Sequence, residues 1–367
     1  MKISVEKADL SNGLAAVQNV VGARTTLPIL SNVLLIAGDD KLELRATDLE
    51  VSVHASVPAK VEREGATSLP AKRLFGLVRE IEATEIELEV NDKEHATVKA
   101  AGASYQLFGI SADEYPQQAK FKESGSIKLP QEKFREMIRK TGYAVSTDES
   151  RHVLKGINMV SEPERLTLVA TDGRRLALVE EELEKGAKAE FIVPTKAVGE
   201  LQRLLQGEGE VEILVGETHA QITLPQETGE PVQLHSKLVE GNFPNYKQVI
   251  PGESRQRVTV VKEELHHALR RADQITSDKS NSVKLSFKDN NLTITANTPE
   301  VGSGHEKIAI KYSGEEIEVA FNPVYLMDAL KVIDEDEVYL EITDSLSPGV
   351  LKSQSAFLYV LMPMRTN

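Results

Sequence analysis

Asp48 and Asp172 each follow an Ala-Thr pair, and two carboxylates in matching contexts can be posed as a general acid and a general base. The matching context argues the other way. They occupy equivalent places in two copies of one string, so they belong to separate domains, and an Asp after a strand stabilises the turn beyond it. His266 and His267 could be posed as metal ligands. Side by side on a helix they point in different directions, and no HExxH pattern or cysteine completes a ligand set. No GxxxxGK[ST] loop occurs, and Gly302-Ser303-Gly304 opens no helix. The expectation is a chain with no catalytic constellation, no metal and no cofactor.

A different pattern carries more. Lys72 and Arg79 lie two and nine residues after Pro70, and Lys196 and Arg203 lie two and nine residues after Pro194. A spacing of seven puts each pair on one helix face, away from the leucines. The third counterpart, after Pro323, has Tyr325 and Val332 instead. Surface helices often carry such cations with no function. Here the rest of the chain makes them notable. The formal net charge is −14, yet the six helical segments are slightly basic, so all the acidity belongs to strands and loops.

The elements that position these residues are repeated. LELRATD at 42–48, LTLVATD at 166–172 and LTITANT at 292–298 begin at Leu42, Leu166 and Leu292, intervals of 124 and 126 residues. A proline-led helix start comes after each copy, in the same order. A period this long is a whole domain. In 367 residues it means three α+β domains, expected at 1–122, 126–250 and 253–367, with linkers near Lys122-Glu123-Ser124-Gly125 and Pro251-Gly252-Glu253-Ser254. Apolar spacing predicts helices over 6–21, 70–82, 131–143, 194–206, 262–275 and 323–334, with the three prolines at helix starts. Alternation in Glu85–Val90, Glu210–Val215 and Glu316–Val319 predicts antiparallel strands with one wet, acidic face, and Asp39-Asp40 and Asp289-Asn290-Asn291 mark hairpins. With no cysteine, no apolar leader and no apolar run near 18 residues, the chain is expected to be cytoplasmic and not membrane-embedded.

TTLPILSNVLL and ATDLE early, VATDGRRLA in mid-chain, KLVEGNFPNY before the second boundary and the terminal VLMPMR together resemble the bacterial DNA polymerase III beta subunits, the sliding clamps. The resemblance spans the whole chain. It implies a head-to-tail homodimer of two subunits and six domains, with helices lining a central hole and antiparallel sheets forming an outer shell. Such a ring slides on double-stranded DNA without sequence specificity, because topology rather than affinity prevents loss. Slightly basic helices inside an acidic shell suit that task.

Carried over by position, the resemblance implies DNA-facing roles for Arg24, Lys72, Arg73, Arg151, Lys196, Asn322 and Tyr325. It implies a pocket for a short linear peptide shared by the polymerase catalytic subunit, the clamp loader and repair proteins. That pocket maps to Leu154, Thr171, Gly173, Arg174, Arg175, Leu176, Pro244, Val249, Leu346, Val360, Met362, Pro363 and Met364. Methionines adapt to varied apolar partners. The ring-closing surface maps to Tyr105 and Leu107 on one edge and Gln274 and Ile275 on the other, Gln274 being polar for such a contact. Gln248 stands where some members carry arginine and Pro348 where serine is common, which bears on the pocket rim. His152, Val153 and Ser280 stand where some members carry aromatic residues near DNA. Two other readings are an enzyme on repeated α+β domains and a peptide-binding scaffold that never encircles DNA. The missing catalytic signature speaks against the first, and retention on circular DNA decides the second.

Overall fold

A computed structural model describes residues 1–22, 27–118, 122–226, 229–252, 256–277 and 281–365. Among them are six α-helices: α1 (Lys7–Val17), α2 (Ala71–Glu80), α3 (Gln131–Thr141), α4 (Thr195–Leu204), α5 (Lys262–Asp273) and α6 (Pro323–Val332). All six fall inside the segments that apolar spacing marks. In α2 that spacing buries Ala71, Leu74 and Val78 and leaves Lys72, Arg73 and Arg79 exposed. In α1 the buried face includes Gly13, where a Cβ would stand 2.9 Å from Val57 Cγ1 and 3.0 Å from Leu44 Cδ1. The glycine lets this helix settle directly on its sheet, which outweighs a helix-propensity cost of about 1 kcal/mol. Only Pro323 sits inside its helix. Pro70 and Pro194 end the preceding strands, one residue before α2 and α4.

The chain gathers into two compact units: residues 1–135, 183–189 and 196–238, and residues 136–182, 190–195 and 239–367. Strand pairing explains this. In the first unit, an eight-stranded antiparallel sheet joins Val51–Pro58, from the first third of the chain, to Val232–Lys237, from the middle third. In the second unit, another eight-stranded sheet joins Arg175–Glu182 to Phe357–Leu361. The central repeat is thus shared between units. The first unit also has a five-stranded sheet ending in Ala103–Phe108, and the second a four-stranded sheet ending in Gly302–Ala309.

The alternating strands are as expected. Ile86, Leu88 and Val90 are buried, while Glu85, Glu87 and Glu89 lie on the wetter face. The hairpins at Asp39-Asp40 and Asp289-Asn290 have left-handed φ of 49° and 54°, and 49° and 59°, as a primed turn requires. The expected linker at residues 122–125 is instead largely strand. Glu123 begins Glu123–Pro130, which pairs with Glu210–Gly216. Of the second linker, Glu253 and Ser254 lie outside the described residues.

Candidate functional site

The first two copies of the repeated string end in one turn. In the first, Asp48 Oδ1 accepts from the Glu50 and Val51 amides at 3.0 and 2.8 Å, and Thr47 Oγ1 accepts from the Leu49 amide at 3.0 Å. In the second, Asp172 Oδ1 accepts from the Arg174 and Arg175 amides at 2.9 and 3.0 Å, and Thr171 Oγ1 accepts from the Gly173 amide at 3.1 Å. Both aspartates are turn formers, which accounts for their conspicuous repetition without catalysis. The third copy has Pro299 after Thr298 and makes no such turn.

Past the second turn the chain enters Arg175–Glu182, where Leu176 stands opposite Val360. Val169, Leu176 and Val360 form a buried cluster, with Leu178, Phe243, Tyr246, Ile250 and Leu358 half-buried against it. Around it apolar side chains remain in water: Val249 is 46% exposed, Leu346 72%, Met362 43% and Met364 37%. The last residues are held in register, since the Met362 amide donates to Arg174 O at 2.9 Å and the Met364 amide to Ala320 O at 2.8 Å. Leu346 rides on a turn pinned by Asp344, whose Oδ1 accepts from the Leu346 and Ser347 amides at 2.8 and 2.7 Å. Leu154 is buried, Pro244 exposed and Pro363 half-buried. This is an apolar surface with a rigid floor and flexible methionines on its border, suited to capturing an apolar peptide anchor.

Arg175 does not line that surface as an open cation. Its side chain is 10% exposed and bonds Asp172 Oδ2 at 3.1 Å, Asp328 Oδ2 at 2.8 Å and Tyr143 O at 2.8 Å. Its guanidinium lies 4.4 Å from the Tyr325 ring centroid. Burial pushes the Tyr143 hydroxyl pKa well up, so that ring stays neutral beside it. Arg175 therefore ties the turn to α6 from beneath. Arg151 lies over the same turn, donating to Asp172 O at 3.1 Å and pairing with Asp148 at 3.4 Å. Sequence reasoning did not single out Phe243, Tyr246, Asp328 or Tyr143. The first two stood in the KLVEGNFPNY string; the others carry no local signal.

The residues mapped to DNA differ in state. Lys72 and Arg73 are exposed on α2, without an ion pair among the described residues. Lys196 pairs with Asp48, Asn322 caps α6 by accepting from the Val324 amide at 2.9 Å, and Tyr325 packs on Arg175. Arg203 is also engaged: it pairs with Glu200 at 2.6 Å and caps α1 through the Ala15 and Ala16 carbonyls at 2.9 and 2.6 Å. The repeated basic register thus remains open on α2 and is neutralised on α4. Arg24 and Ser280 lie outside the described residues; His152 is exposed and Val153 half-buried.

On the edge strand Ala103–Phe108, Tyr105 is 48% exposed and Leu107 half-buried, beside an exposed Phe108 that packs edge-on against His95. Gln274 caps α5 and is exposed; Ile275 is half-buried beside Gly304 of the other edge strand. His266 and His267 do not diverge as adjacency suggests. Glu263 precedes them by three and four positions on α5, and the three residues gather ligand atoms within 4.8 Å, because i, i+3 and i+4 share a helix face.

Family models for the DNA polymerase III beta subunit match the chain in three stretches: the N-terminal domain over residues 1–119, the central domain over 128–245 and the C-terminal domain over 247–365. The beta sliding clamp of Chlamydia pneumoniae is 35% identical over 367 residues, covering 100% of this chain and 99% of the relative. That of Bacillus subtilis is 30% identical over 382 residues and is covered completely. Among solved structures, a sliding clamp from Bartonella birtlesii bound to griselimycin superposes with a TM-score of 0.94 at 34% identity over 100% of both chains. The DNA polymerase III subunit beta from Pseudomonas aeruginosa gives a TM-score of 0.94 at 31% identity, again over 100% of both chains.

Proposed function

This chain belongs to the DNA polymerase III beta subunit family, the beta sliding clamps, and we propose that it acts as a processivity factor that encircles duplex DNA as a head-to-tail homodimer. It has no catalysis of its own and works in the cytoplasm. Three domains, at 1–122, 126–250 and 253–367, tile each half of the ring. Exposed Lys72 and Arg73 on α2 support weak attraction to phosphates, which loses specificity but permits sliding.

The observation that carries the ring is the pattern of strand joints. The strand after each of the first two copies pairs with the last strand of the next repeat: Val51–Pro58 with Val232–Lys237, and Arg175–Glu182 with Phe357–Leu361. The corresponding strands left over are Gly302–Ala309 and Ala103–Phe108, and each ends its sheet. A second copy placed head to tail supplies each with the missing partner, and the operation closes after two chains. Tyr105 and Leu107 on one edge then meet the region of Gln274 and Ile275 on the other.

The apolar surface around Leu176, Val360, Met362 and Met364 holds the linear peptide of the polymerase catalytic subunit, the clamp loader and other proteins carrying the clamp-binding motif. Clamp loaded on nicked circular DNA is expected to stay bound and to fall off once the circle is linearised; equal retention on both forms sinks the ring. On the same preparation, the Met362→Ala/Met364→Ala variant is expected to lose about 10- to 30-fold in polymerase-peptide affinity, the loss of two apolar contacts, while remaining dimeric. Unchanged affinity removes the pocket assignment.

A further inference from the structure

The two joints within the chain are closed by helices as well as strands, and each helix joint has its own polar contact. In the first unit, Arg203 near the end of α4 donates to the Ala15 and Ala16 carbonyls at 2.9 and 2.6 Å. Those carbonyls lie in the last turn of α1, which the Gln18 amide closes on Leu14 O. In the second unit, Arg139 in the last turn of α3 pairs at 2.6 Å with Asp334, just past the C-cap of α6. Burial sets α1, α3 and α5 in register. Leu10, Gly13, Leu14 and Val17 correspond to Phe134, Met137, Ile138 and Thr141, and to Leu265, Ala268, Leu269 and Ala272. Arg270 therefore takes the place of Ala15 and Arg139, and Arg271 that of Ala16. On the other side, α2 takes the place of α4 and α6. Arg79 stands two residues before Ile81, as Arg203 stands two before Leu205, and both amides turn back four residues, to Leu77 O and Leu201 O. Glu82 follows the C-cap Ile81 as Asp334 follows the C-cap Ile333. Lys7 and Lys262 fix that match by donating to the Ile81 and Ile333 carbonyls.

Among the described residues, both halves of this third joint are unused. Arg79, Glu82 and Arg270 are exposed and make no ion pair there, and Arg79 only leans on Phe75, 5.8 Å from its ring centroid. Arg271 is held by Glu306 at 2.5 Å. The Gln274 amide turns to the Arg271 and Ala272 carbonyls, so the Arg270 carbonyl lacks the donor that a continuing helix supplies. A groove of about 380 Å³ runs along this face of α5, lined by His267, Arg270, Arg271 and Gln274, while the end of α2 exposes Glu80 and Glu82. We propose that the end of α2 of one copy and α5 of a second copy form a clasp, in which Arg79 caps the Arg270 and Arg271 carbonyls and Glu82 pairs with the Arg270 guanidinium. The clasp rests on the head-to-tail ring and adds a helix contact to the strand edges that close it. Gln274, already assigned to that edge, lies one helical turn from Arg270 on the same face, so the two contacts are continuous. A cation at a helix C-terminus also gains from the helix dipole. The charges set the orientation as well, since two α5 helices meeting each other would oppose their arginines. The joint between chains thus combines the two devices that the joints within the chain use singly.

The test measures the dimer dissociation constant of the full chain by sedimentation over a dilution series. A ring of two chains has two identical joints, so every loss counts twice. Arg79→Met removes two hydrogen bonds from a charged group and is expected to weaken each joint about tenfold, hence the dimer about a hundredfold. Glu82→Arg or Arg270→Glu alone sets like charges together and is expected to weaken the dimer about 10- to 30-fold. Both reversals in one chain are expected to restore it to within about threefold of the native value, a recovery that a general loss of stability does not produce. All three positions are exposed, and circular dichroism of each variant reports that the fold survives. A native chain that stays monomeric overturns the ring and the clasp together. A native dimer indifferent to Arg79→Met and to both single reversals, or reversals whose losses add in the double variant, overturns the clasp and leaves the ring standing.

Discussion

The two sheet joints use one backbone and opposite chemistries. At each, an Ala-Thr-Asp turn leads into a strand that pairs with a strand from the next repeat. At the joint in the second unit, the opposed residues are Leu176 and Val360, and the chain runs out along Met362. At the joint in the first unit, they are Ser52 and His235, and the chain runs out along Lys237. The aromatic-proline pairs match as well, Phe243-Pro244 in one and Tyr115-Pro116 in the other, but Tyr115 is buried and donates to Arg45 O at 3.2 Å. Joining domains thus needs only the turn and the ladder. Side chains facing out of the joint are free to diverge, and this is how a repeated fold acquires a site that is not repeated.

The largest expected effect separates the supports of the two turns. Val51 stands where the second copy has Arg175. Arg175→Met keeps the stem but leaves Asp172 and Asp328 facing each other's charge without the guanidinium. Breaking a buried ion network in this way costs about 3–5 kcal/mol. Denaturant unfolding followed by a probe in the second unit is expected to show that loss, with peptide affinity falling as the turn loosens. A loss below about 1 kcal/mol, the range of an exposed pair, would mean that the turn stands without its guanidinium.

A pH scan sharpens the contrast from the other side. Burial lowers the His54 pKa to about 3, helped by His235 and Arg45, and lowers that of His235 to about 4, helped by Arg45 and His219. Both folded values lie below the usual value near 6.5. The unfolded chain therefore binds more protons as pH falls below about 6.5, and the stability due to neutral rings is present above that pH and lost on the way down through the folded values. With His54 only half-buried and His235 packed beside it, the loss attributable to the two rings is roughly 3 kcal/mol. Comparing the native chain with a His54→Gln/His235→Gln variant isolates it from the carboxylates that titrate in the same range. Parallel stability curves for the two proteins would falsify the assignment.

Much of this was legible in the sequence. Helix stripes follow from local spacing, and all six helices lie within the marked segments. The turn role of Asp48 and Asp172 follows from the residue type and its place after a strand. The resemblance supplied the apolar positions around Leu176 and Met362. Other features were hidden because their causes are distant in sequence. Strand spacing reveals a strand but not its partner, so the sharing of the central repeat between two units had no local sign. Arg175 reads as a surface cation until Asp328, 153 residues away, closes on it. Lys196 and Arg203 share the register of Lys72 and Arg79, yet Asp48 and the end of α1 neutralise them. The polar character of the first joint did have a signal: aligning the repeats sets Ser52 and His235 against Leu176 and Val360.

The smallest effect concerns a single backbone angle. Gly173 has φ of +85° in the second turn, and its counterpart Leu49 has φ of +79° in the first. Glycine adopts this region freely, whereas a Cβ there crowds the next carbonyl and costs about 1–2 kcal/mol. Leu49 is 56% exposed, so its side chain gains little from burial to offset that strain. Leu49→Gly relieves it, while the freer unfolded chain takes back part of the gain, leaving a net stabilisation of about 0.5–1 kcal/mol. The reciprocal change is expected to go the other way. At Gly173 a Cβ would stand 2.6 Å from Arg151 Nη1, so Gly173→Ala both strains the turn and displaces the arginine lying over it. Unfolding midpoints of the two variants should therefore shift in opposite directions. A drop for Leu49→Gly would show that the exposed leucine makes contacts worth more than the strain it causes, and that the first turn has been adapted around it rather than merely tolerating it.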